Sequence, residues 1–275
     1  MELINFDTHF EKYTDTWLKK NAGKHKNADA LEAAMFEVYM RWVNTPADWL
    51  GGKTPDSYFE SFTDPDELVD MLAEYHRRGI PMPEQLTERI AHLGASAAAP
   101  LMRFAFETRE PAAAGIVALN LLKDIGAENS IDACIALIME GDAPADMADV
   151  AAELIAEAGA VVVPRLLDKM GEASSGARAI FLDILCNFPG DERIYNYAVE
   201  AFRSQFDHRA LYASYLGKLG DVRAIEPLAA ALDLADITYL DYIEIAGAIE
   251  ALGGDVGSTR DFTGDPYYES LKSMK

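Results

Sequence analysis

The pattern of apolar and polar residues along the chain repeats with a period of about 30 residues, which is typical of helical-repeat proteins. Six glycines follow each other at nearly constant intervals, Gly94, Gly126, Gly159, Gly190, Gly220 and Gly253, and all of them except Gly190 stand just after a helical apolar pattern. A glycine in this position favours the end of a helix, because it adopts the left-handed conformation at little cost. The spacing therefore predicts a series of helices that stop at these glycines.

A second, shorter helical pattern follows most of the glycines. Proline stands shortly after three of them, at Pro100, Pro164 and Pro227, and an apolar run follows each proline. Proline is tolerated in the first turn of a helix, where its missing N–H has no intrahelical partner. We therefore predict a repeat made of a helix, a glycine turn, a shorter helix and a polar loop such as 141–144 or 171–175.

One helix pair of this kind cannot bury its own apolar face, whereas stacked pairs can. Alanine runs at 97–99, 112–114 and 229–231 favour helices, and strand signals are weak, since the run 161–163 leads directly into the Pro164 helix. We predict an all-α fold in which residues 83–254 form a right-handed α-solenoid. A helical cap region at 1–82 precedes it, and a tail or short capping helix at 255–275 follows it.

The run from Leu219 to Leu228, Leu-Gly-Asp-Val-Arg-Ala-Ile-Glu-Pro-Leu, resembles the HEAT-like repeat of the phycobilisome-lyase type. The resemblance extends over about five and a half repeats and is strongest in the last complete one. It is weak around Gly126, where residues 131–133 stand in place of the proline. The resemblance implies a helical-repeat fold and leaves the activity open, because this family includes scaffolds, lyase subunits and enzymes.

Residues 1–82 lack the glycine period and are rich in aromatic side chains. One predicted helix carries an aromatic stripe, Phe6, Phe10, Tyr13 and Trp17, and the next carries Leu31, Met35, Val38, Tyr39 and Trp42. The polar residues 24–27 join them. Helix starts are then predicted at three threonine-proline sites, Thr45-Pro46, Thr54-Pro55 and Thr63-Asp64-Pro65. The last begins a helix that ends at Gly79.

Two interpretations of this aromatic region remain open. The first is a cap that covers the exposed apolar face of the first repeat, which solenoids require. The second is a pocket for an aromatic ligand, for which Trp49 is the best candidate because it precedes the turn Gly51-Gly52-Lys53. This run does not have the spacing of a phosphate-binding loop, so a nucleotide site is not predicted.

Composition narrows the range of partners. The 275 residues include 46 acidic and 24 basic side chains, a formal net charge of −22, and no fifty-residue block is basic. Such a charge opposes binding to nucleic acid and to anionic membranes. The sequence shows no signal peptide and no apolar run long enough to span a bilayer, so a cytoplasmic location is expected. Cys134 and Cys186 lie among aliphatic residues and are expected to be buried free thiols.

Motifs for chemistry are missing from the sequence. None of the five histidines pairs with another histidine or a cysteine at metal-ligand spacing, and no Cys-x-x-Cys is present. Deoxyhypusine hydroxylase, a HEAT-like enzyme, uses His-Glu dipeptides to hold iron, and these too are missing. The acidic group that begins at Asp64 is predicted to cap a helix, and Asp142, Asp146 and Asp149 to lie in a solvated loop and helix start. We predict no catalytic, metal or cofactor site.

The sequence favours a non-catalytic scaffold that binds a protein of basic or mixed charge on a concave face. The second helices line the inner curve of such solenoids, and the candidate contact residues are Arg103, Arg165, Asp168, Tyr195 and Arg203, together with Trp49 of the cap region. The tyrosine pairs 195/197, 212/215 and 239/242 serve either packing or an interface. Two alternatives are a lyase-like or other enzyme with a pocket on the solenoid, and an acidic decoy for a nucleic-acid-binding protein.

Overall fold

A computed structural model of the chain describes residues 3–21, 28–107, 112–257 and 260–273. Within these ranges the chain contains fifteen α-helices, five short 3-10 helices and no strand, so the prediction of an all-α fold is confirmed. None of the helices in this part of the chain is both long and apolar enough to cross a membrane.

The chain divides into two compact units. Unit 1 comprises Met1–Leu137 and Ala143–Leu154, and unit 2 comprises Ile138–Asp142 and Ile155–Lys275. The boundaries predicted after residues 82 and 254 stay predictions.

Unit 1 contains two aromatic helices followed by shorter helices that pack in sequence order. They are α1 (Phe6–Asn21), α2 (Ala28–Val43), α3 (Pro65–Arg78), α4 (Glu84–His92), α5 (Ala95–Glu107), α6 (Ala112–Asp124), α7 (Ser130–Glu140) and α8 (Ala145–Glu157). The last residues of α7 and α8 belong to unit 2. Helix α5 packs against α6 and also against α3. Because neighbouring and next-but-one helices meet, their apolar faces form one core.

The three threonine-proline sites have different outcomes. Asp64 begins α3 as predicted, since its carboxylate accepts a hydrogen bond from the backbone N–H of Asp66 at 3.0 Å. No α-helix begins at Pro46 or Pro55. Each proline is followed instead by a short 3-10 helix, Asp48–Leu50 and Tyr58–Ser61. The first of these stops at Gly51 and Gly52, which both have positive φ. The predicted loop 24–27 lies outside the described residues.

Unit 2 contains alternating longer and shorter helices. They are α9 (Val163–Lys169), α10 (Ser175–Leu185), α11 (Glu192–Ser204), α12 (Arg209–Leu219), α13 (Ile225–Leu232), α14 (Tyr239–Ala251) and α15 (Pro266–Ser273). Helix α12 packs against α11 and most extensively against α14, which also packs against α13. The first helices of successive pairs therefore contact each other directly.

Five of the predicted helix stops are confirmed, since Gly94, Gly126, Gly159, Gly220 and Gly253 have φ between 56° and 82° and follow the end of a helix within two residues. The prediction at Gly190 is wrong, because α10 already ends at Leu185. Pro164 and Pro227 lie in the first turns of α9 and α13, as predicted. The prediction for Pro100 is wrong, because α5 already begins at Ala95 and contains this proline. The alanine-rich segment before Pro100 forms helix, and the N–H of Ala97 donates to the carbonyl of Gly94 at 2.9 Å.

The segment that follows α14 closes against it. Helix α15 forms where the sequence left a helix or a tail open, and Asp265 accepts hydrogen bonds from the backbone N–H groups of Tyr267 and Tyr268 at 2.9 and 3.0 Å. The second carboxylate oxygen of Asp265 accepts from the N–H of Tyr239, the first residue of α14, at 3.0 Å. Phe262 contacts the ring of Tyr239, with 5.2 Å between centroids.

Candidate functional site

Two turns of unit 2, one repeat apart, have the same side-chain geometry. Before α11, Asp191 Oδ1 accepts hydrogen bonds from the N–H and Nε of Arg193 at 2.9 and 3.0 Å. Before α13, Asp221 Oδ1 accepts from the N–H and Nε of Arg223, both at 3.0 Å. Each aspartate caps a helical start and holds the arginine two positions later. These arginine hydrogen bonds keep the pKa of both aspartates below the ordinary value.

Arg223 also reaches the preceding helical pair. Its two terminal nitrogens donate to the two carboxylate oxygens of Glu192 at 2.8 and 2.9 Å. Its guanidinium carbon lies 4.2 Å from the centroid of the Tyr195 ring, a cation–π contact. A single arginine therefore connects the turn before α13 to the N-terminal part of α11. Sequence reasoning missed this contact, although the separation of Glu192 and Arg223 along the chain matches the repeat period.

The candidate contact residues of unit 2 lie on the two helices that the repeat pattern assigned as second helices. Arg165 is half-buried and Asp168 exposed on α9, while Tyr195 is half-buried and Arg203 exposed on α11. The charge of Asp168 contributes, after the hydrogen bond to Asp191, to raising the pKa of Arg193. The solvent-exposed sides of α9 and α11 therefore combine both signs of charge with a tyrosine ring.

The tyrosine pairs of unit 2 differ in their surroundings. Tyr212 and Tyr215 are buried in α12, with ring centroids 5.8 Å apart, so this pair serves packing. Tyr195 and Tyr197 of α11 are both half-buried. The tyrosines of α14 pack against the segment leading to α15, and Tyr242 lies 4.9 Å from the ring of Phe262.

The two remaining candidate residues lie in unit 1. Arg103 of α5 forms an ion pair with Asp66 in the first turn of α3, so it already has a partner within the unit. Trp49 lies in a cluster of aromatic rings, where His9 of α1 stacks on it with 3.8 Å between centroids and 12° between planes. Phe6 contacts Trp49 edge-on at 5.4 Å. The sequence singled out Trp49, but it gave no signal for the stacked histidine.

Trp49 borders a surface depression of about 460 Å³. The residues that line this depression are Leu3, Ile4, Asn5, Thr8, His9, Trp49 and Tyr58. Burial, together with the charge of Lys12, lowers the pKa of His9, and burial raises the pKa of Tyr58. Both rings are therefore uncharged at neutral pH. The walls of the depression are thus aromatic and polar without a charged side chain.

The N-terminal edge of the depression is fixed from inside the unit. The hydroxyl of Tyr75 in α3 donates a hydrogen bond to the backbone carbonyl of Ile4 at 2.8 Å. Burial raises the pKa of Tyr75 to about 12, so this donor keeps its proton at neutral pH. The side chain of Asn5 accepts from the N–H of Thr8 at 3.0 Å and so caps α1. Hydrogen bonds at Ile4 and Asn5 therefore fix the backbone that leads into α1.

Side chains suited to metal binding or nucleophilic chemistry are dispersed. Within the described ranges, no three histidine, cysteine, aspartate or glutamate side chains form a group that could hold a metal ion. Cys134 and Cys186 are buried free thiols, as predicted, and burial raises the pKa of each to about 12. Since the thiolate is the reactive form, these cysteines are poor nucleophiles at neutral pH.

Comparison of the sequence with protein-family models and with curated proteins finds no match. The function of the chain is therefore inferred from its own residues.

Proposed function

We propose that this chain is a non-catalytic, HEAT-like repeat protein that binds a protein partner, and that its helical pairs form a right-handed α-solenoid. The recurrence of the Asp-x-Arg turn, with Arg223 bound to Glu192 of the preceding pair, carries the proposal. In solenoids each repeat contacts only its neighbours, and extended surfaces for partners result. A bond between equivalent turns of successive pairs is the kind of contact that such an architecture needs.

The proposed binding surface consists of the solvent-exposed sides of α9 and α11, which line the concave face of the proposed solenoid. Asp168, Tyr195 and Arg203 offer an acidic, an aromatic and a basic side chain there. Aromatic and arginine side chains are enriched at protein interfaces, since they combine large contact area with polar ends. The net charge of −22 favours a partner of basic or mixed charge, because long-range attraction accelerates encounter with positively charged surfaces.

Binding of two synthetic amphipathic helices to the full chain tests this proposal. One peptide carries leucine and lysine, and its charge-reversed copy carries glutamate in place of lysine. Titration calorimetry is expected to show salt-dependent binding of the lysine peptide and none of the glutamate peptide. Absence of binding by both peptides contradicts the proposal.

A pair of charge-reversing variants locates the surface. Asp168→Lys changes an exposed residue of α9, and Glu244→Lys makes the same charge change on an exposed residue of α14. We expect Asp168→Lys to weaken binding of the lysine peptide by roughly threefold or more, and Glu244→Lys to have a smaller effect. Equal effects of the two variants mean that the overall charge, and not this surface, attracts the peptide.

The depression beside Trp49 supports a second candidate function, the binding of a small aromatic ligand by unit 1. Its volume of about 460 Å³ falls within the range of small-molecule sites, roughly 300–1,000 Å³. Its uncharged walls favour an uncharged ring. Saturable quenching of tryptophan fluorescence by indole-free probes such as caffeine, lost in Trp49→Leu and retained in Trp17→Leu, is the expected result. Quenching without saturation contradicts this candidate.

A further inference from the structure

A small cleft lies within unit 2, between helices α10, α11 and α12. Arg178 lines it from α10, Tyr197 and Glu200 line it from α11, and Tyr212 lines it from α12. Its volume is about 90 Å³, enough for a few water molecules or one small organic molecule, whereas sites for drug-sized ligands measure roughly 300–1,000 Å³. Most of the side chains around this cleft are polar, so it suits a small polar ligand.

The hydroxyl of Tyr212 reaches the cleft from within the helical packing. Only 3% of the Tyr212 surface is exposed, and its ring packs against the ring of Tyr215. The hydroxyl bonds to no described residue, yet the buried polar atoms that lack a partner in this part of the chain belong to Thr14 and His76. The hydroxyl of Tyr212 therefore meets solvent, and the opening that it lines is the cleft. Burial raises the pKa of Tyr212, so this hydroxyl keeps its proton and can donate it at neutral pH.

Arg178 contributes a positive charge that is held in place. Its Nε donates to the carbonyl of Met170 at 2.9 Å, and one terminal nitrogen donates to the carbonyl of Gly171 at 3.1 Å, just after the end of α9. The other terminal nitrogen has no partner among the described residues. The charge of Arg178 also opposes the rise in the pKa of Tyr212, so the two groups are close. A fixed guanidinium beside a phenol hydroxyl is a pair of donors suited to a carboxylate.

Glu200 contributes the opposite charge from α11. It is exposed, and its carboxylate forms no ion pair with a described residue. Tyr197 precedes it by three positions, so the two side chains are neighbours on the surface of the helix. The carboxylate can accept hydrogen bonds from an ammonium group, and the face of a tyrosine ring attracts the same cation. This side of the cleft therefore suits an amine.

The two charges share one cleft without pairing with each other. An ion pair needs a nitrogen–oxygen distance of about 4 Å or less, and Arg178 and Glu200, which are both described, do not form one. A simple anion in the cleft is repelled by Glu200, and a simple cation is repelled by Arg178. A molecule that carries both charges can bind both side chains at once.

We propose that this cleft binds a small zwitterion, a molecule such as a small amino acid that carries an ammonium group and a carboxylate. Arg178 and the hydroxyl of Tyr212 donate to the carboxylate, and Glu200 accepts from the ammonium group beside the ring of Tyr197. The volume of about 90 Å³ restricts the ligand to a few non-hydrogen atoms. The site goes beyond the proposed function, because a small molecule and not a protein occupies it.

Titration of the full chain with five small probes, at neutral pH and constant ionic strength, tests the site. Glycine, β-alanine and 4-aminobutyrate are zwitterions that differ in the distance between their charges, whereas acetate and methylammonium carry one charge each. We expect saturable shifts of the backbone amide signals of residues 197–205 with at least one zwitterion. Acetate and methylammonium are expected to bind about fivefold more weakly or worse, because each leaves one charge of the cleft unpaired. The zwitterion that binds most tightly gives the preferred distance between the charges.

Removal of one hydroxyl tests the contribution of Tyr212. Tyr212→Phe leaves the ring in place and is expected to weaken the tightest zwitterion about threefold or more, because one hydrogen bond is lost. Tyr215→Phe is the matched control, since Tyr215 is also buried in α12 and does not line the cleft. This control is expected to bind the zwitterion as the unmodified chain does.

Removal of one charge tests the contribution of Glu200. Glu200→Gln keeps the shape of the side chain, and it is expected to weaken the zwitterion about fivefold or more and to strengthen acetate, so that the two ligands bind similarly. Glu244→Gln makes the same change of net charge on an exposed residue of α14 that does not line the cleft. It is expected to leave both affinities unchanged.

Circular dichroism and thermal melting establish that each variant is folded. Since Glu200 is exposed, its variant decides the matter even if Tyr212→Phe does not fold. The proposal is overturned if none of the three zwitterions produces saturable shifts, or if acetate or methylammonium binds as tightly as the best of them. It is equally overturned if the folded variants at positions 212 and 200 bind that zwitterion as the unmodified chain does.

Discussion

The aromatic region of unit 1 and the helical pairs of unit 2 are held together by different kinds of side chain. In unit 1, rings contact rings: Phe6 lies 5.7 Å from Phe59 and Phe10 lies 5.0 Å from Trp42. In unit 2, α12 and α14 approach through small residues. A Cβ atom placed on Gly217 comes within 3.1 Å of the Cα of Ala248.

The difference follows from regularity. The aromatic region joins elements of unequal length, including two 3-10 helices, and large rings fill the irregular spaces between them. The longer helices α12 and α14 pack side by side along their lengths, and small residues permit that close approach. Ring contacts therefore dominate where the elements differ in length, whereas glycine and alanine permit the close approach of α12 and α14, where the Tyr212–Tyr215 ring pair also packs.

Truncation of a ring in unit 1 is expected to have the largest effect. Phe59 is 2% exposed and contacts the rings of Phe6, Tyr58 and Phe62. Phe59→Ala is expected to lower the free energy of unfolding by about 3–5 kcal/mol, measured in urea, because a large cavity remains. Phe36→Ala is the control, since Phe36 is 70% exposed, and a change within about 0.5 kcal/mol is expected. Similar losses in both variants contradict the role of the cluster.

A larger side chain at Gly217, where α12 meets α14, is expected to have the second-largest effect on stability. Gly217→Leu forces α12 away from the backbone of α14 and is expected to lower the free energy of unfolding by about 1–3 kcal/mol. A Cβ atom placed on Gly247 of α14 has no other atom within 4 Å. Gly247→Leu is therefore expected to be neutral or to stabilise by up to about 1 kcal/mol, because leucine favours helix over glycine. A stable Gly217→Leu variant refutes close helix packing at this point.

Loss of a helix cap in unit 2 is a smaller change. Asp221→Ala removes the acceptor for Arg223 and is expected to cost about 0.5–2 kcal/mol, the usual range for such caps. Asp191→Ala removes the equivalent cap before α11. We expect the Asp221 variant to lose more stability, because Asp221 also orients the arginine that binds Glu192. Chemical denaturation of the two variants measures this difference. Equal losses of unfolding free energy imply that the bond between Arg223 and Glu192 adds no stability.

The pH dependence of stability is expected to show the smallest difference. Hydrogen bonds from arginine lower the pKa of Asp191 and Asp221 in the folded state. Their contribution is present above the pKa of an unfolded aspartate, about 4, and is lost as the pH falls through the lower folded value. Unfolding in urea at a series of pH values is expected to show a shallower acid loss in Asp221→Ala than in the unmodified chain. Parallel curves contradict the assigned pKa direction.

Local spacing made part of the fold predictable from sequence. The glycine period located the ends of five helices and missed that of α10, and the aspartate before Pro65 located the start of α3. The 3-10 helices after Pro46 and Pro55 were not predictable in this way, because a cap and a proline start a turn but do not set its length. The predicted helix start at Pro100 lies too late in the chain, because the alanines before this proline are already helical.

The candidate sites were less accessible to sequence reasoning. Trp49 was recognised from its own neighbours, but His9, which stacks on it, lies much earlier in the chain and belongs to another helix. Arg178, Glu200 and Tyr212 belong to three different helices, and only packing shows that they line one cleft. Contacts between side chains of different helices depend on how the helices pack. A local sequence pattern therefore does not predict them.

The hydrogen bonds of Asp265 have a consequence for how the segment after α14 is anchored. One carboxylate holds the start of α15 and the start of α14, and Phe262 and Tyr268 contact the ring of Tyr239. The segment from Phe262 to Ser273 is thus fastened to the first turn of α14 by one acidic side chain and a group of rings, so that α15 and the N-terminal end of α14 form a single clasp.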